Sequence, residues 1–578
     1  MHDFKLPKKA EINTVLSSFS KKEKNIFLSL LIILSISTLF ILQGINQHFM
    51  VSVPTPGGSV SEGIVGAPRF INPVLAFSDT DRDMVTLIYS GLMRKTGDGE
   101  LSLDLAEKYE VSPDKLSYTF TLKEGTIFHD GESLDADDVI FTIQKVKDSV
   151  LKSPEKSAWD GVTVEKVDDR TIIFTLRQPY SSFLGNTTLG ILPEHIWNQS
   201  LIELNTANTN PIGSGPFMIK TISRQESGII NSYELIAFPN FALGKPYLEN
   251  ISIRFYPNEK DVLQALKNKE ITQLGSIDPE NALDLEEENY RVEATILPRI
   301  FGIFFNHNQN QIFLNKTVVR AINDAIDKDR IISEVLSGYG VAIDDPIPPN
   351  MSDYQNLAAK NEESRADILE KVEASLAKDG WKKNVDGFLE KTTTVNKKKT
   401  TTLLEFTIST GNAPELSKSA ELIQEDLAKV GIKVEIKTFE IGNLNQSVIR
   451  PRKYDALLFG QIINHESDLY AFWHSSQRKD PGLNVSSYTN AKVDKILEDA
   501  FITLDAKARE KKYAEFETEI KKDMPAVFLY SPKFIYVVPE NLEGLVMNRL
   551  VTPGERFGNV HQWYTNTDNV WELFSKKD

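Results

Sequence analysis

The chain of 578 residues contains no cysteine. This absence excludes disulfide bonds, thiolate metal sites and cysteine nucleophiles. It also excludes attachment to a membrane through a lipid-modified cysteine. Any membrane attachment must therefore come from the polypeptide itself.

Sequence motifs of phosphate-binding and hydrolytic enzymes are also missing. The chain has no phosphate loop of the form GxxxxGK followed by Ser or Thr, and no GxSxG nucleophile elbow. Asp79, Asp81 and Asp83 begin like a calcium-binding loop. Met84 stands at the glycine position of that loop and Ser90 at its glutamate position, so the ligand set is incomplete.

The zinc-binding helix motif of metalloproteases is incomplete as well. His465-Glu466 begins like one, but Leu469 occupies the place of the second histidine. We therefore expect no metal site, no cofactor and no catalytic residue. A hydrolase whose site is assembled from distant residues stays open as an alternative, because sequence spacing cannot exclude it.

Charge of one sign is not concentrated anywhere along the chain. The 65 lysines and arginines against 81 aspartates and glutamates give a net charge of -16, which is spread over the whole length. A nucleic-acid partner would require a basic patch or stripe, so this distribution argues against one. A chain of this length is also too long for one hydrophobic core, which predicts two or three lobes.

One long apolar run lies near the N-terminus. Ile26 to Leu42 carries no charge and covers roughly 26 Å as a helix, close to the thickness of a bilayer core. Six lysines precede this run and no charged residue follows it until Glu62, so the positive-inside rule places residues 1–24 in the cytoplasm. We expect an uncleaved transmembrane anchor at 25–47 with the rest of the chain outside. A cleaved signal peptide is the alternative.

In the remainder of the sequence, strand-like and helix-like segments alternate, as in a mixed α/β protein. Residues 48–62 are rich in Pro, Gly and Ser and suit a flexible linker. Ser117–Leu122 and Thr171–Leu176 alternate polar and apolar residues as half-buried strands do. Asp135–Lys147 and Glu415–Val430 carry the apolar stripe of amphipathic helices.

The stretch LKEGTIFHDGESLDADDV, from Leu122 to Val139, contains one histidine and six acidic residues. Asp135 to Asp138 suit a helix N-terminus, where the helix dipole favours negative charge. His129 beside Asp130 suits a turn pair more than a functional pair. We therefore interpret the whole stretch as scaffold.

This stretch also resembles the signature of the family 5 extracellular solute-binding proteins, the oligopeptide- and dipeptide-binding components of ABC importers. The matching pieces are Ala106, Asp114, SYTFTL, Leu122-Lys123-Glu124-Gly125, Phe128-His129-Asp130-Gly131 and Ala136-Asp137-Asp138-Val139. Further pieces follow in the family's order, among them Gly213-Ser214-Gly215-Pro216-Phe217 and Ala325-Ile326-Asp327-Lys328. The resemblance covers about residues 57 to 565.

The resemblance implies an α/β, bilobed, periplasmic-binding-protein-like clamshell with an extra subdomain, here preceded by one transmembrane helix. Two crossing strands near 296–305 and 527–534 would form its hinge. The implied parts are lobe I at 63–297 with a signature subdomain at about 91–207, lobe II at 298–531, and a C-terminal return to lobe I at 532–578.

The resemblance also suggests which residues line the cleft. Relatives that bind peptides carry a Trp and, three residues later, an Asp that pairs with the ligand's α-ammonium group. Here those places fall on about Gly460 and Ile463, so Asn464, Glu466 or Asp468 would have to compensate, or the ligand is not held by a free N-terminus. The candidate ligand-binding residues are Arg69, Phe70, Trp159, Gly460, Gln461, Asn464 and Trp473.

The implied function is capture of peptides and their delivery to the permease subunits of an ABC transporter, with no chemistry by the chain itself. We expect a monomer attached to the cell membrane by its N-terminal helix, with the folded body on the extracytoplasmic side. An oligosaccharide or a metal chelate stays open as the ligand. A tethered hydrolase, or a receptor that needs a signalling partner, stays open as another class of protein.

Overall fold

A computed structural model of the protein describes residues 14–15, 17–349, 351, 363–395 and 398–574. It divides into two compact units. The terminal unit comprises Met1–Pro56 and Tyr564–Asp578, and the body comprises Gly57–Trp563.

The terminal unit begins with helix α1, Lys21–Phe49. Ser20 caps this helix and Glu23 completes a capping box, because each side chain accepts the other residue's backbone N–H. Within the described part of the chain, α1 is the helix that is long and apolar enough to cross a membrane. None of its residues is buried.

Strand β1, Met50–Pro54, follows α1 directly and pairs antiparallel with β23, Thr567–Trp571. Strand β2 then begins at Ser59, at the start of the body. The segment 48–62 therefore holds one complete strand and part of another, and is not the flexible linker predicted above. Its alternating valines suit an extended backbone, and β23 supplies the hydrogen-bond partners that a free tether would find in water.

The body contains mixed helices and strands, as the sequence pattern predicts. Its helices are α2 Asp79–Ile88, α3 Ala136–Lys147, α4 Phe183–Asn186, α5 Glu194–Trp197, α6 Glu259–Lys267, α7 Pro279–Glu287, α8 Lys316–Ala325, α9 Lys328–Leu336, α10 Arg365–Lys378, α11 Pro414–Lys429, α12 Ile441–Asn443, α13 Asp468–Trp473, α14 Ala491–Ile502 and α15 Ala506–Asp523. Its strands are β2 Ser59–Val65, β3 Met93–Lys95, β4 Leu101–Leu103, β5 Ala106–Val111, β6 Ser117–Leu122, β7 Val162–Asp168, β8 Thr171–Leu176, β9 Phe217–Arg224, β10 Ile230–Ala237, β11 Asn250–Tyr256, β12 Gln273–Gly275, β13 Arg291–Ile296, β14 Arg299–Phe305, β15 Gly340–Ala342, β16 Lys382–Lys383, β17 Leu389–Val395, β18 Lys398–Leu403, β19 Glu405–Gly411, β20 Lys433–Phe439, β21 Ala456–Ile462 and β22 Ala526–Val538.

A twelve-stranded sheet runs through the body in the order β20-β19-β21-β14-β22-β12-β2-β11-β10-β9, with β13 and β15 also paired to β22. A separate four-stranded sheet, β5-β6-β8-β7, carries the signature stretch. The buried hydrophobic residues fall into separate clusters. Two clusters draw on residues 60–297 and 534–563, apart from Tyr339, and two draw only on residues 300–530. We call the first part lobe I and the second lobe II.

The signature stretch is scaffold, as its sequence indicates. His129 Nδ1 accepts the Gly213 N–H at 3.3 Å, and its Nε2 lies 3.0 Å from the Gly215 carbonyl oxygen. A neutral imidazole with its proton on Nε2 satisfies both contacts. Burial lowers the pKa of His129 to about 4, which keeps the ring neutral. Asp130 pairs with His195, and not with His129, at 2.8 Å.

Candidate functional site

Two neighbouring strands carry the chain between the lobes. β22 runs without interruption from Ala526 to Val538. Its first part pairs with β14 in lobe II and its second part pairs with β13 in lobe I. β13 and β14 are themselves separated only by Leu297 and Pro298. The two crossings are therefore adjacent, antiparallel strands, and the lobes face each other on either side of them.

Arg69 and Phe70, two of the predicted ligand contacts, lie in the loop that precedes α2 in lobe I. Their backbone N–H groups both donate to Asp81 Oδ1, at 2.7 and 2.9 Å. The same carboxylate accepts the N–H of Ser78, which caps α2. The Arg69 guanidinium lies 5.1 Å from the centre of the Phe70 ring. Arg69 is exposed and Phe70 half-buried, so this fixed loop presents both side chains to solvent.

Gly460 and Gln461 lie on β21 in lobe II. Gly460 stands opposite Phe301 of β14, and a Cβ at this position would approach the Phe301 ring to 2.8 Å. Phe301 in turn stacks on Tyr530, with ring centroids 5.0 Å apart. Gln461 is buried, and its Oε1 has no hydrogen-bond partner among the described residues. A buried amide oxygen without a partner is unfavourable, but Gln461 does not line the cavity between the lobes.

The two predicted tryptophans are buried in hydrophobic cores in this structure. Trp159 is 1% exposed and packs against Phe174 and Phe183. Trp473 is also 1% exposed and lies in a cluster with Phe528. Neither indole has surface that a solute can touch in this structure. A large aromatic side chain buries more area in a core than in a hydrated cleft, and the sequence does not distinguish the two environments.

The segment that follows β21 shows how its polar residues are used. Ile463 is buried, and its N–H donates to the Pro298 carbonyl. Asn464 is exposed, and its backbone N–H and that of the next residue donate to Asp468 Oδ2 at 2.8 and 3.0 Å. Glu466 is paired with Arg509 at 2.6 Å. Three residues were considered as replacements for the missing aspartate. The charge of Glu466 is already neutralised by Arg509, and one carboxylate oxygen of Asp468 already accepts two hydrogen bonds.

A cavity of about 660 Å³ lies between the lobes. The signature side contributes residues from 154 to 180, and lobe II contributes residues from 464 to 471 together with Phe501. Its rim is closed by contacts across the gap: Tyr180 stacks on Phe501 with centroids 5.0 Å apart. Next to this pair, Ser182 Oγ lies 3.3 Å from Ser467 Oγ. A volume of this size is in the range of small-ligand sites.

The charged residues lining this cavity are mostly acidic. Glu155, Asp160 and Asp468 face one guanidinium, that of Arg177. Glu155 is exposed at the cavity surface, and desolvation by the protein atoms around its carboxyl raises its pKa against the opposing charges of Arg82 and Lys95. Burial also raises the pKa of Asp468, although two backbone hydrogen bonds oppose that change. A nearby cation stabilises a carboxylate whose charged form is disfavoured by desolvation, and Lys95 already acts in this way on both Glu155 and Asp468.

His465 lies in the same lining. Burial, followed by the charge of Lys95, lowers its pKa to about 4. The ring is therefore neutral at physiological pH and can accept or donate one hydrogen bond or ligate a metal ion. Within the described part of the chain, no three His, Asp or Glu side chains come together as a metal cage.

The structure adds residues that the sequence pattern did not single out. Glu155 and Tyr180 line the cavity from lobe I, and Phe501 lines it from lobe II, more than 300 residues later in the chain. None of the three lies in a sequence motif. Glu155 directly precedes the short helical turn Lys156–Trp159, and no local pattern indicated its place in the cavity. No local signal existed for Phe501, because its place at the rim depends on how the two lobes meet.

Comparison with known proteins assigns the fold. The family model described as bacterial extracellular solute-binding proteins, family 5, matches residues 100–481. The oligopeptide-binding protein AppA of Bacillus subtilis is 29% identical over 522 residues, covering 88% of this chain and 92% of the relative.

Solved structures agree with that assignment. AppA of Bacillus subtilis, solved with a nonapeptide, aligns with a TM-score of 0.64 at 29% identity and covers 89% of this chain and 99% of its own. NikZ of Campylobacter jejuni, solved with Ni(L-His), aligns with a TM-score of 0.66 at 27% identity and covers 88% of this chain and 99% of its own. The mixed α/β, periplasmic-binding-protein-like fold predicted from the signature stretch is therefore confirmed.

Proposed function

The chain belongs to the family 5 bacterial extracellular solute-binding proteins, and from this premise we propose that it captures peptides between its lobes and delivers them to an ABC permease. The single observation that carries the proposal is the interlobe cavity, whose lining is shared by both lobes and is rich in carboxylates. Proteins of this family bind solutes without transforming them, and the proposal requires no chemistry from the cavity.

The cavity supports a ligand that carries both polar groups and a cation. Glu155 and Asp468 offer two carboxylates for an ammonium group, and Asn464 adds a polar side chain to the same lining. A peptide supplies an α-ammonium and a row of backbone N–H donors in one molecule. The nonapeptide bound to the Bacillus relative is consistent with this class of ligand.

Binding to the full chain in lipid nanodiscs tests the peptide assignment. We expect calorimetric binding of di- to nonapeptides with a free N-terminus, and at least tenfold weaker binding of the same peptides after N-acetylation, since a tenfold change corresponds to about 1.4 kcal/mol. If N-acetylation leaves binding unchanged, the carboxylates of the cavity do not hold the α-ammonium group of the peptide. Binding of oligosaccharides with none of any peptide would overturn the assignment.

A nickel chelate is the second candidate ligand. His465 lines the cavity and keeps a neutral imidazole, which is the form that binds a metal ion. The relative from Campylobacter was solved with Ni(L-His). Titration with nickel and histidine together, and with each alone, separates this candidate. Tight binding of the mixture that is lost in His465→Gln would favour the chelate over the peptide.

We also propose that α1 stays in the mature protein as a membrane anchor, with the body outside the cytoplasm. The apolar run within α1 is near the length of a bilayer core, and lysines lie only on its N-terminal side before Glu62. Intact-mass measurement of the protein extracted from membranes tests this arrangement. A mass that includes residues 1–24 and resistance to alkaline extraction are expected, whereas a mass that begins after the helix would show a cleaved signal. The monomeric state stays a prediction.

A further inference from the structure

The terminal unit contains a contact between the end of α1 and the last described strand. Trp571 of β23 donates its indole N–H to Asn46 Oδ1 at 2.6 Å. Its ring also lies against Phe49, with centroids 6.2 Å apart. Met50, which follows directly, is paired with Trp571 in the strand register. The outer end of α1 is thus held by a strand that lies more than 500 residues later in the sequence.

The ribbon of β1 and β23 has little core of its own. It has only two strands, and its central residues are half-buried or exposed. An isolated two-stranded ribbon is marginally stable in water unless a third layer covers one face. Two apolar side chains, Phe49 and Trp571, meet at the end next to α1 and are 50% and 43% exposed, and Leu573, two residues after the end of β23, is 83% exposed.

The position of this apolar end agrees with the edge of a bilayer. A spanning helix needs about 20 apolar residues, and counting these from Ile26 ends at Ile45. The next residue is Asn46, which binds the indole. Tryptophan is enriched at this level of a membrane, because its ring is apolar and its N–H requires a polar partner. The residues of β1 and the turn after it carry no charge that would oppose contact with lipid.

We propose that Trp571, Phe49 and Leu573 form a lipid contact at the headgroup level of the membrane that α1 spans. This inference rests on the proposed anchor and adds to it: β23 binds the outer end of the anchor and supplies a second attachment to the bilayer surface. The continuity of this end with the span favours lipid over a second protein copy as the occupant, and the one charged side chain between Trp571 and Leu573, that of Glu572, is exposed and suits the headgroup level rather than the acyl chains.

The tryptophans of the chain make the contact measurable. All six lie in the described residues, and the other five are buried: Trp381 is 5% exposed and Trp159, Trp197, Trp473 and Trp563 are at most 1% exposed. A quencher confined to lipid therefore reports on Trp571. The experiment reconstitutes the full chain in phosphatidylcholine vesicles whose acyl chains carry bromine either near the headgroup or near the chain end.

We expect the shallow bromines to remove about one sixth of the emission, since one of the six tryptophans is accessible, and the deep bromines to remove less. Trp571→Phe should abolish this loss, and Asn46→Ala should reduce it because the indole is no longer held. Vesicle flotation reports insertion separately. A chain that does not float would overturn the anchor itself. A chain that floats but shows equal quenching in the wild type and in Trp571→Phe would overturn the lipid contact alone. If the emission depends on the protein density in the vesicles and not on bromine, a second copy of the chain covers the ribbon. This result also overturns the lipid contact.

Discussion

The ring of Tyr180 in lobe I stacks on the ring of Phe501 in lobe II, with their centroids 5.0 Å apart and their planes 23° from parallel. The neighbouring Ser181 N–H donates to the Phe501 carbonyl at 3.2 Å. These contacts join the lobes at the rim of the cavity and are lost if the lobes separate. A bound ligand that stabilises the closed arrangement is therefore coupled to them.

Removing this stack should weaken ligand binding. An aromatic pair contributes about 0.5–1.5 kcal/mol beyond the area it buries, so Phe501→Ala should raise Kd about two- to tenfold. Calorimetry with a peptide that binds the wild type measures the change. Tyr109→Ala is the matched control, because Tyr109 stacks on Phe120 within lobe I and away from the rim. Equal Kd values for the two variants would contradict a contribution of the stack to closure.

Glu155→Gln should separate ligand recognition from stability. The Glu155 side chain lines the cavity and is exposed, so its replacement should leave the Tm nearly unchanged. Binding of a peptide with a free N-terminus should weaken at least tenfold, about 1.4 kcal/mol, while the N-acetylated peptide should bind as before. Glu203→Gln is an exposed control outside the cavity lining. If both peptides lose affinity equally, Glu155 does not contact the ammonium group.

Arg556 should be the most sensitive ionic residue for folding. Its two terminal nitrogens bind both oxygens of Asp83 at 2.8 Å, and one of them also reaches Glu62 at 2.8 Å. All three side chains are buried. Arg556→Met leaves two buried carboxylates without their cation and should lower the free energy of unfolding by about 3–5 kcal/mol. Urea unfolding measures the loss, and Lys108→Met, which breaks an exposed pair with Glu110, should change it by less than about 1 kcal/mol.

Mild acid should destabilise the protein through His129. The pKa of this ring falls from an ordinary 6.5 to about 4 on folding, because burial disfavours the charged form. Between these values the unfolded chain binds more protons than the folded chain, so stability is lost as the pH falls from 6.5 towards 4. At pH 5 the contribution is on the order of 1–2 kcal/mol.

The variant His129→Gln tests this assignment. It removes the titrating group, so the difference in unfolding free energy between pH 7 and pH 5 should shrink by that amount. His195→Asn is the control, since His195 is a histidine of the same region that pairs with Asp130 near the surface. A pH dependence that is identical in the wild type and in His129→Gln would show that other groups cause the acid sensitivity.

Local patterns predicted the elements that depend on nearby residues. Alternation placed the strands at Ser117–Leu122 and Thr171–Leu176, and the structure has both with these bounds. The helix predicted at Asp135–Lys147 is present with Asp135 as its N-cap, because an acidic cap and an apolar stripe act within one or two turns. The signature stretch carried the family and the fold for the same reason, since its turns and caps are formed by neighbours in sequence.

The features that local patterns did not predict depend on distant residues. Trp159 and Trp473 were assigned to the cleft, but their burial follows from packing against Phe174, Phe183 and Phe528, which no local pattern encodes. Met50–Pro54, within the predicted linker at 48–62, forms strand β1 because its pairing partner lies far away in the sequence, at Thr567–Trp571.

The sequence by itself determined the apolar N-terminal helix, the mixed α/β elements and the absence of thiol chemistry, because composition and short-range periodicity suffice for each. Only the tertiary structure decided which carboxylates are free to meet a ligand. Glu466 is neutralised by Arg509 and Asp468 accepts two backbone N–H groups, whereas Glu155 is brought to the cavity opposite them. A side chain's charge is written in the sequence, but its partner and its burial depend on which distant segments pack around it.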